Sequence, residues 1–262
     1  MGAVVVDPGS LTLVLSPGQV LDRASLHLAN ALLGNRDSAA GLEVLVGGLR
    51  LRFVTGTSIA VTGAEGLVTL NGAELPLNTA VRVAPGAVLE CAPALFGIRY
   101  YVAVQGGIPV QSEPLRAGAS LTFGPPHGHA PRLDHAPARR AVDPKRPVVA
   151  RVSRSAHATI DDAGTWLRLT TEPWILSPES DRVGARLVGR PLGVTAAPAA
   201  QPQPLTSGSV LLPPSGLPVI ALAGHPATAE SPVIAVVRDE DLDMIGQARP
   251  GQMVHLLGGA GC

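Results

Sequence analysis

The 262-residue chain is 46% hydrophobic and 15% charged, a composition that supplies a buried core and excludes a disordered polymer. Twenty Lys and Arg cancel twenty Asp and Glu with no basic run, so a surface that tracks nucleic-acid phosphates is not expected. Thirty glycines and twenty-five prolines point to many short strands joined by tight turns.

The opening MGAVVVDPGS has neither a charged leader nor a long apolar segment, and no apolar run reaches the ~18 residues of a membrane span. A soluble, cytoplasmic protein with no membrane partner is expected. The spacing predicts a helix over 22–35, capped by Asp22, with Leu26, Ala29, Leu32 and Leu33 on one face and Gly34-Asn35 at its end. The period then falls to two: 41–54 with an internal Gly-Gly turn, 58–64, 67–77 with the hairpin signal Asn71-Gly72, and 80–92, while 97–110 reads as a buried strand ending in Gly106-Gly107. Residues 123–147, rich in Pro, His and Arg, break from both flanks and are expected to link a first lobe (1–122) to a second (148–262). In the second lobe 148–152, 165–177, 184–192, 209–223, 231–237 and 251–257 are expected strands, with a helix over 239–248. The absence of a βαβ rhythm implies a mainly β (α+β) chain of two barrel-like or sandwich lobes, each with one or two short helices.

No phosphate loop, dinucleotide fingerprint, nucleophile elbow or zincin motif is present. Cys91 and Cys262 belong to no metal or redox motif. His127, His129, Asp134 and His135 could meet at a metal, but in a Pro-Gly segment nothing rigid would orient them, and no metal is expected. The stretch 177–192 carries Glu179, Asp181, Arg182, Arg186 and Arg190; it suits an arginine-lined carboxylate site or a turn with solvated ion pairs. The loop GHPATAES, 224–231, offers His225, Thr228, Glu230 and Ser231 for acid–base work or stands as an ordinary polar turn.

In the second lobe SDRVGARLVG (180–189), VLLPPSGLPVIALAGHP (210–226) and SPVIAVVRDEDLDMIGQARPGQMV (231–254) resemble the C subunit of bacterial 5-oxoprolinase. That protein is a branch of the biotin-dependent carboxyltransferase family, with the second subunit of allophanate hydrolase and the carboxyltransferase part of urea amidolyase. The first lobe is similar in the same order: DRASLHLANALLGNRDSAAGLEVLVGG (22–48), IAVTGAE (59–65), GIRYYVAVQGGIPV (97–110) and LRAG (115–118). The resemblance implies a cyclophilin-like β-barrel in the C-terminal lobe. It also implies a hetero-oligomer with a B-type and often an A-type subunit, and ATP-dependent opening of 5-oxoproline to glutamate, with ATP used by the complex and biotin left unassigned. By resemblance Asp22, Arg182 and Thr228 are candidate catalytic residues, and Asn30, Asp181, Arg186 and His225 candidate substrate-binding residues.

The departures fall in polar loops. The Q-D-x-G-R-x-G piece is missing from 11–22, Leu211 stands for a glutamine, and Ser153-Arg154-Ser155-Ala156-His157 replaces a G-P segment with an acid and a Trp. In the 222–232 loop Gly224 replaces an acid, Ala227 a threonine, Ala229 and Glu230 two glycines, and Ser231 a tyrosine. A non-catalytic regulatory or scaffold relative that binds the B-type subunit is therefore the alternative to an active subunit. A stand-alone small-molecule binder is a third reading.

Overall fold

The computed structural model describes residues 2–126, 141–155, 163–193 and 202–259. The chain divides into two compact units, Met1–Asp143 and Pro144–Cys262. Among the described residues no helix is long and apolar enough to cross a membrane.

The first unit begins with two strands, β1 (Ala3–Pro8) and β2 (Leu11–Leu15), before helix α1 (Arg23–Leu32). As the spacing predicts, Asp22 caps α1, its side chain accepting from the Ser25 N–H at 3.0 Å. Then follow β3 (Gly41–Leu45), β4 (Leu49–Phe53), β5 (Thr57–Glu65), β6 (Val68–Leu70), β7 (Ala73–Glu74), β8 (Ala80–Val83), β9 (Val88–Cys91), β10 (Phe96–Val104) and β11 (Ser120–Leu121). They form a six-stranded sheet, β11-β1-β4-β9-β6-β7, and a five-stranded sheet, β2-β3-β10-β5-β8.

Alternation decides which faces meet. In β4, Leu49, Leu51 and Phe53 are buried while Arg50 and Arg52 are exposed. They join Ala3, Val5 and Leu89 of the same sheet and Leu42, Val44, Ile59, Val61 and Val102 of the other in one sandwiched core. The five-stranded sheet is covered on its second face by α1, where Ala29, Leu32 and Leu33 pack against Ala60 and Ala103. Burial on both faces is why β10 reads as a buried strand without clear alternation. The Asn71-Gly72 turn joins β6 to β7 with both residues at positive φ, 53° and 79°. The continuous 80–92 pattern is two strands in different sheets, turned at Pro85-Gly86.

Part of the Pro-rich 123–147 segment belongs to the first unit. The Phe123 ring lies 6.2 Å from that of Phe53, and the Gly97 N–H donates to the Val142 carbonyl. Residues 127–140, with His127, His129, Asp134 and His135, lie outside the described residues.

The second unit is built from β12 (Val148–Arg154), α2 (Ala163–Thr171), β13 (Trp174–Leu176), β14 (Gly184–Val188), β15 (Gln203–Pro204), β16 (Ser209–Leu211), β17 (Val219–Ala221), β18 (Thr228–Ala229), β19 (Val233–Val237), α3 (Asp239–Gln247) and β20 (Met253–Gly258). Seven of the described strands close a barrel in the order β12-β19-β16-β17-β14-β13-β20, with β12 and β20 paired in parallel. Inward residues alternate along it: Val148, Ala150 and Val152 on β12, Trp174 and Leu176 on β13, Val254 and Leu256 on β20. The mainly β architecture with a barrel lobe matches the expectation.

Two stretches are corrected. The strand expected over 209–223 is two, β16 and β17, paired antiparallel around the turn closed by the Gly216 N–H on the Pro213 carbonyl. Residues 165–177 are not a single strand, because α2 occupies their first half and β13 only Trp174–Leu176. Thr165 and Leu169 are buried one helical turn apart, and the hydroxyls of Thr170 and Thr171 bond back to the carbonyls of Trp166 and Leu167 at 2.9 and 2.7 Å. Packing of α2 on β20 outweighs the strand preference of the threonines, and the helix ends before Pro173.

Candidate functional site

In the first unit Asp22 is 3% exposed. One carboxylate oxygen accepts from the Ser25 N–H at 3.0 Å and the other from the Ser25 hydroxyl at 2.6 Å. Its own N–H donates to the Tyr101 hydroxyl at 2.9 Å, and that hydroxyl donates to Glu43 Oε2 at 2.9 Å. Glu43 also accepts from the Leu21 N–H at 3.0 Å and lies 3.6 Å from Arg99. Burial, then the negative charge of Glu43, pushes the Tyr101 phenol well above its usual range. Asp22 thus stands at the head of a buried network that anchors α1 to β3 and β10.

Asn30, 1% exposed, donates its amide to the Ala39 carbonyl at 2.8 Å. Its side-chain oxygen accepts from Asn35 at 3.0 Å, and Asn35 also donates to the Val104 carbonyl at 2.9 Å and accepts from the Gly106 N–H at 2.8 Å. These bonds hold two loops side by side around a cavity of 280 Å³ lined by residues that include Arg36, Ser38, Ala39, Gly106 and Ile108. Sequence reasoning passed over Asn35 as a helix end and Gly106-Gly107 as a strand end. A buried-amide pattern at the helix exit, N-x-x-x-x-N-R, is the signal that points to them.

In the second unit β14 pairs with β17, and the pairing continues past both strands. The Leu222 N–H donates to the Val183 carbonyl at 3.0 Å and the Gly224 N–H to the Arg182 carbonyl at 2.8 Å. The Asp181-Arg182 turn therefore lies beside the 222–225 loop, so Asp181, Arg182 and His225 are brought together at one end of the barrel. Asp181 spends one carboxylate oxygen on the N–H groups of Val183 and Gly184, at 2.8 and 3.0 Å. His225 bonds the neighbouring Pro226 carbonyl through Nδ1 at 2.7 Å. Arg186 is exposed, two residues into β14, and Thr228 is exposed on the two-stranded β15–β18 ribbon. At Gly224, where the resembled pattern has an acid, a Cβ would lie 2.9 Å from the Arg182 carbonyl oxygen. The departing segment at 153–155 includes Arg154, whose guanidinium stacks 4.8 Å over the Trp166 ring.

Asp22 and Asn30 belong to the first unit, and Asp181, Arg182, Arg186, His225 and Thr228 to the second. Among the described residues no cluster of three His, Cys, Asp or Glu could hold a metal ion. A nucleotide phosphate does not fit the helix starts with described caps. Asp22 closes the start of α1, and at the start of α3 Glu240 and Asp241 already hold Arg151, at 3.0 and 2.8 Å, beside Asp239.

Residues 14–113 and 109–257 match the family described as the carboxyltransferase domain, subdomain A and B. The chain belongs to this carboxyltransferase-domain family. The C subunit of 5-oxoprolinase from Haemophilus influenzae is 29% identical over 252 residues, covering 89% of this chain and 80% of that protein. The crystal structure of TTHA0988 superposes with a TM-score of 0.85 at 27% identity over 97% of this chain; the chain spans 56% of that protein. The Kluyveromyces lactis urea carboxylase, at 23% identity, shares the fold with a TM-score of 0.91 over 99% of this chain, which spans 27% of it. The match of carboxyltransferase subdomains A and B runs collinearly through both units.

Proposed function

We propose that this carboxyltransferase-domain protein is a C-type subunit of a 5-oxoprolinase-like assembly. In that assembly it works with a B-type and an A-type subunit in the ATP-dependent hydrolysis of 5-oxoproline to glutamate. The observation that carries the reading is the collinear match to the C subunit of a 5-oxoprolinase over most of both chains. The described starts of α1 and α3 offer no site for a nucleotide phosphate, and the reading assigns ATP to a partner. This chain contributes shape and polar groups, with Arg182 as the cationic candidate at the barrel end.

A second reading, binding to the B-type subunit without catalysis, is favoured by one feature. The retained acids and amides are committed to the backbone: Asp22 to Ser25, Asn30 to Ala39, Asp181 to Val183 and Gly184. The test is co-purification with B- and A-type subunits followed by an assay of ATP-dependent glutamate release. Turnover that drops with Arg182→Ala supports the active subunit, and a stable complex without turnover supports the binding role. Failure to form any complex sinks both.

A further inference from the structure

The cavity in the first unit is built with unusual care for a surface cleft. Asn35 is 4% exposed, yet its side chain makes three hydrogen bonds, to Asn30, the Val104 carbonyl and the Gly106 N–H. The far wall is equally held: Ile108 N–H donates to the Ala40 carbonyl at 3.2 Å and Gly124 N–H to the Gly107 carbonyl at 3.0 Å. Gly106 has φ of +88°, and a Cβ there would collide with the Gly124 carbonyl, so the two backbones touch only because both residues are glycine. The result is a preformed cleft, apolar along Ala39, Ala40, Ile108 and Pro109, with Arg36 and Ser38 at its polar side. Arg36 follows the buried Asn35 directly and is exposed, with no ion pair among the described residues.

We propose that this cleft binds a small monocarboxylate, its charge held by Arg36 and its compact apolar body resting on Ala39, Ala40, Ile108 and Pro109. The volume of 280 Å³ corresponds to about nine waters of liquid, which suits a ligand of about ten non-hydrogen atoms rather than a drug-sized one. A guanidinium fork matches a carboxylate in geometry. One cation among the described lining residues, with Asp37 next to it in the chain and the C-terminal end of α1 close by, suits a single negative charge rather than a phosphate dianion. The site is argued from the geometry of the first unit, and the choice of 5-oxoproline as its ligand rests on the assembly proposed above.

Calorimetric titration of the full chain tests it with three probes: 5-oxoproline, its carboxylate-free counterpart 2-pyrrolidinone, and inorganic phosphate. The expected result is 5-oxoproline binding, with both other probes weaker by about tenfold or more. Arg36→Ala and Arg36→Glu should weaken 5-oxoproline by a similar factor while circular dichroism stays unchanged, and Arg36→Lys should restore part of the loss. Ala39→Phe, which fills the cleft, should abolish binding. Affinity indifferent to the Arg36 variants, equal affinity for 2-pyrrolidinone, or no 5-oxoproline binding at all overturns the assignment. A complex that releases glutamate while this cleft binds nothing leaves the assembly reading intact and removes the cleft from it.

Discussion

Asn35 donates its side-chain amide to the side-chain oxygen of Asn30 at 3.0 Å, tying the exit of α1 to the helix's own last turn. The same amide reaches the Val104 carbonyl, 69 residues away in sequence. Asn35→Ala takes the side-chain partner from the Gly106 N–H and the Asn30 side-chain oxygen and one of two donors from the Val104 carbonyl, which keeps the Gly107 N–H. The expected loss is about 2–3 kcal/mol in urea unfolding. The Asn30→Ala and Asn35→Ala losses should combine to less than their sum, because they share one bond.

Cys91 supplies an alkaline prediction. Burial pushes its thiol up from about 9 to about 12. The unfolded chain ionises first, so this contribution to stability is whole below pH 9 and falls as pH rises toward 12, by at most about 1.4 kcal/mol per pH unit. Unfolding midpoints measured from pH 8 to 11 should decline less steeply for Cys91→Val. Tyr101, raised in the same direction, adds to the decline at the upper end of that range.

Gly224→Asp restores the acid of the resembled pattern but forces a Cβ to within 2.9 Å of the Arg182 carbonyl oxygen. The backbone of the 181–183 turn must yield, and a stability loss of about 1–3 kcal/mol is expected. Thermal unfolding of the variant measures it. A variant as stable as the parent would show that the turn moves freely.

Asp241 supplies the acid counterpart. Its carboxylate accepts two guanidinium bonds and the backbone N–H of Arg151, each at 2.8 Å, and the Arg151 side chain holds its pKa below the usual carboxylate range. This contribution is present above the unfolded value of about 3.9 and is lost as pH falls through the lower folded value. Asp241→Asn should be less stable at pH 7, and the gap to the parent should narrow below pH 4 in urea titrations.

Much of this protein is legible in local pattern. The Leu49–Phe53 alternation, the Asp22 cap and the Asn71-Gly72 turn are read from neighbouring residues, because each depends on contacts within a few positions. The 165–177 stretch is misread for the same reason. Its apolar and threonine residues suit a strand by propensity, and only packing on β20 selects the helix.

The candidate chemistry divides the same way. The residues themselves determine that the chain is mainly β and belongs to the carboxyltransferase-domain family. Tertiary structure alone decides what the polar side chains do. It commits Asp22 and Asp181 to backbone N–H groups, sets Gly224 against Arg182, and brings Arg36 beside Gly106 from 70 positions away. A cap or a turn is encoded by its neighbours, whereas a cleft exists only where long-range strand register brings distant backbones within hydrogen-bonding reach.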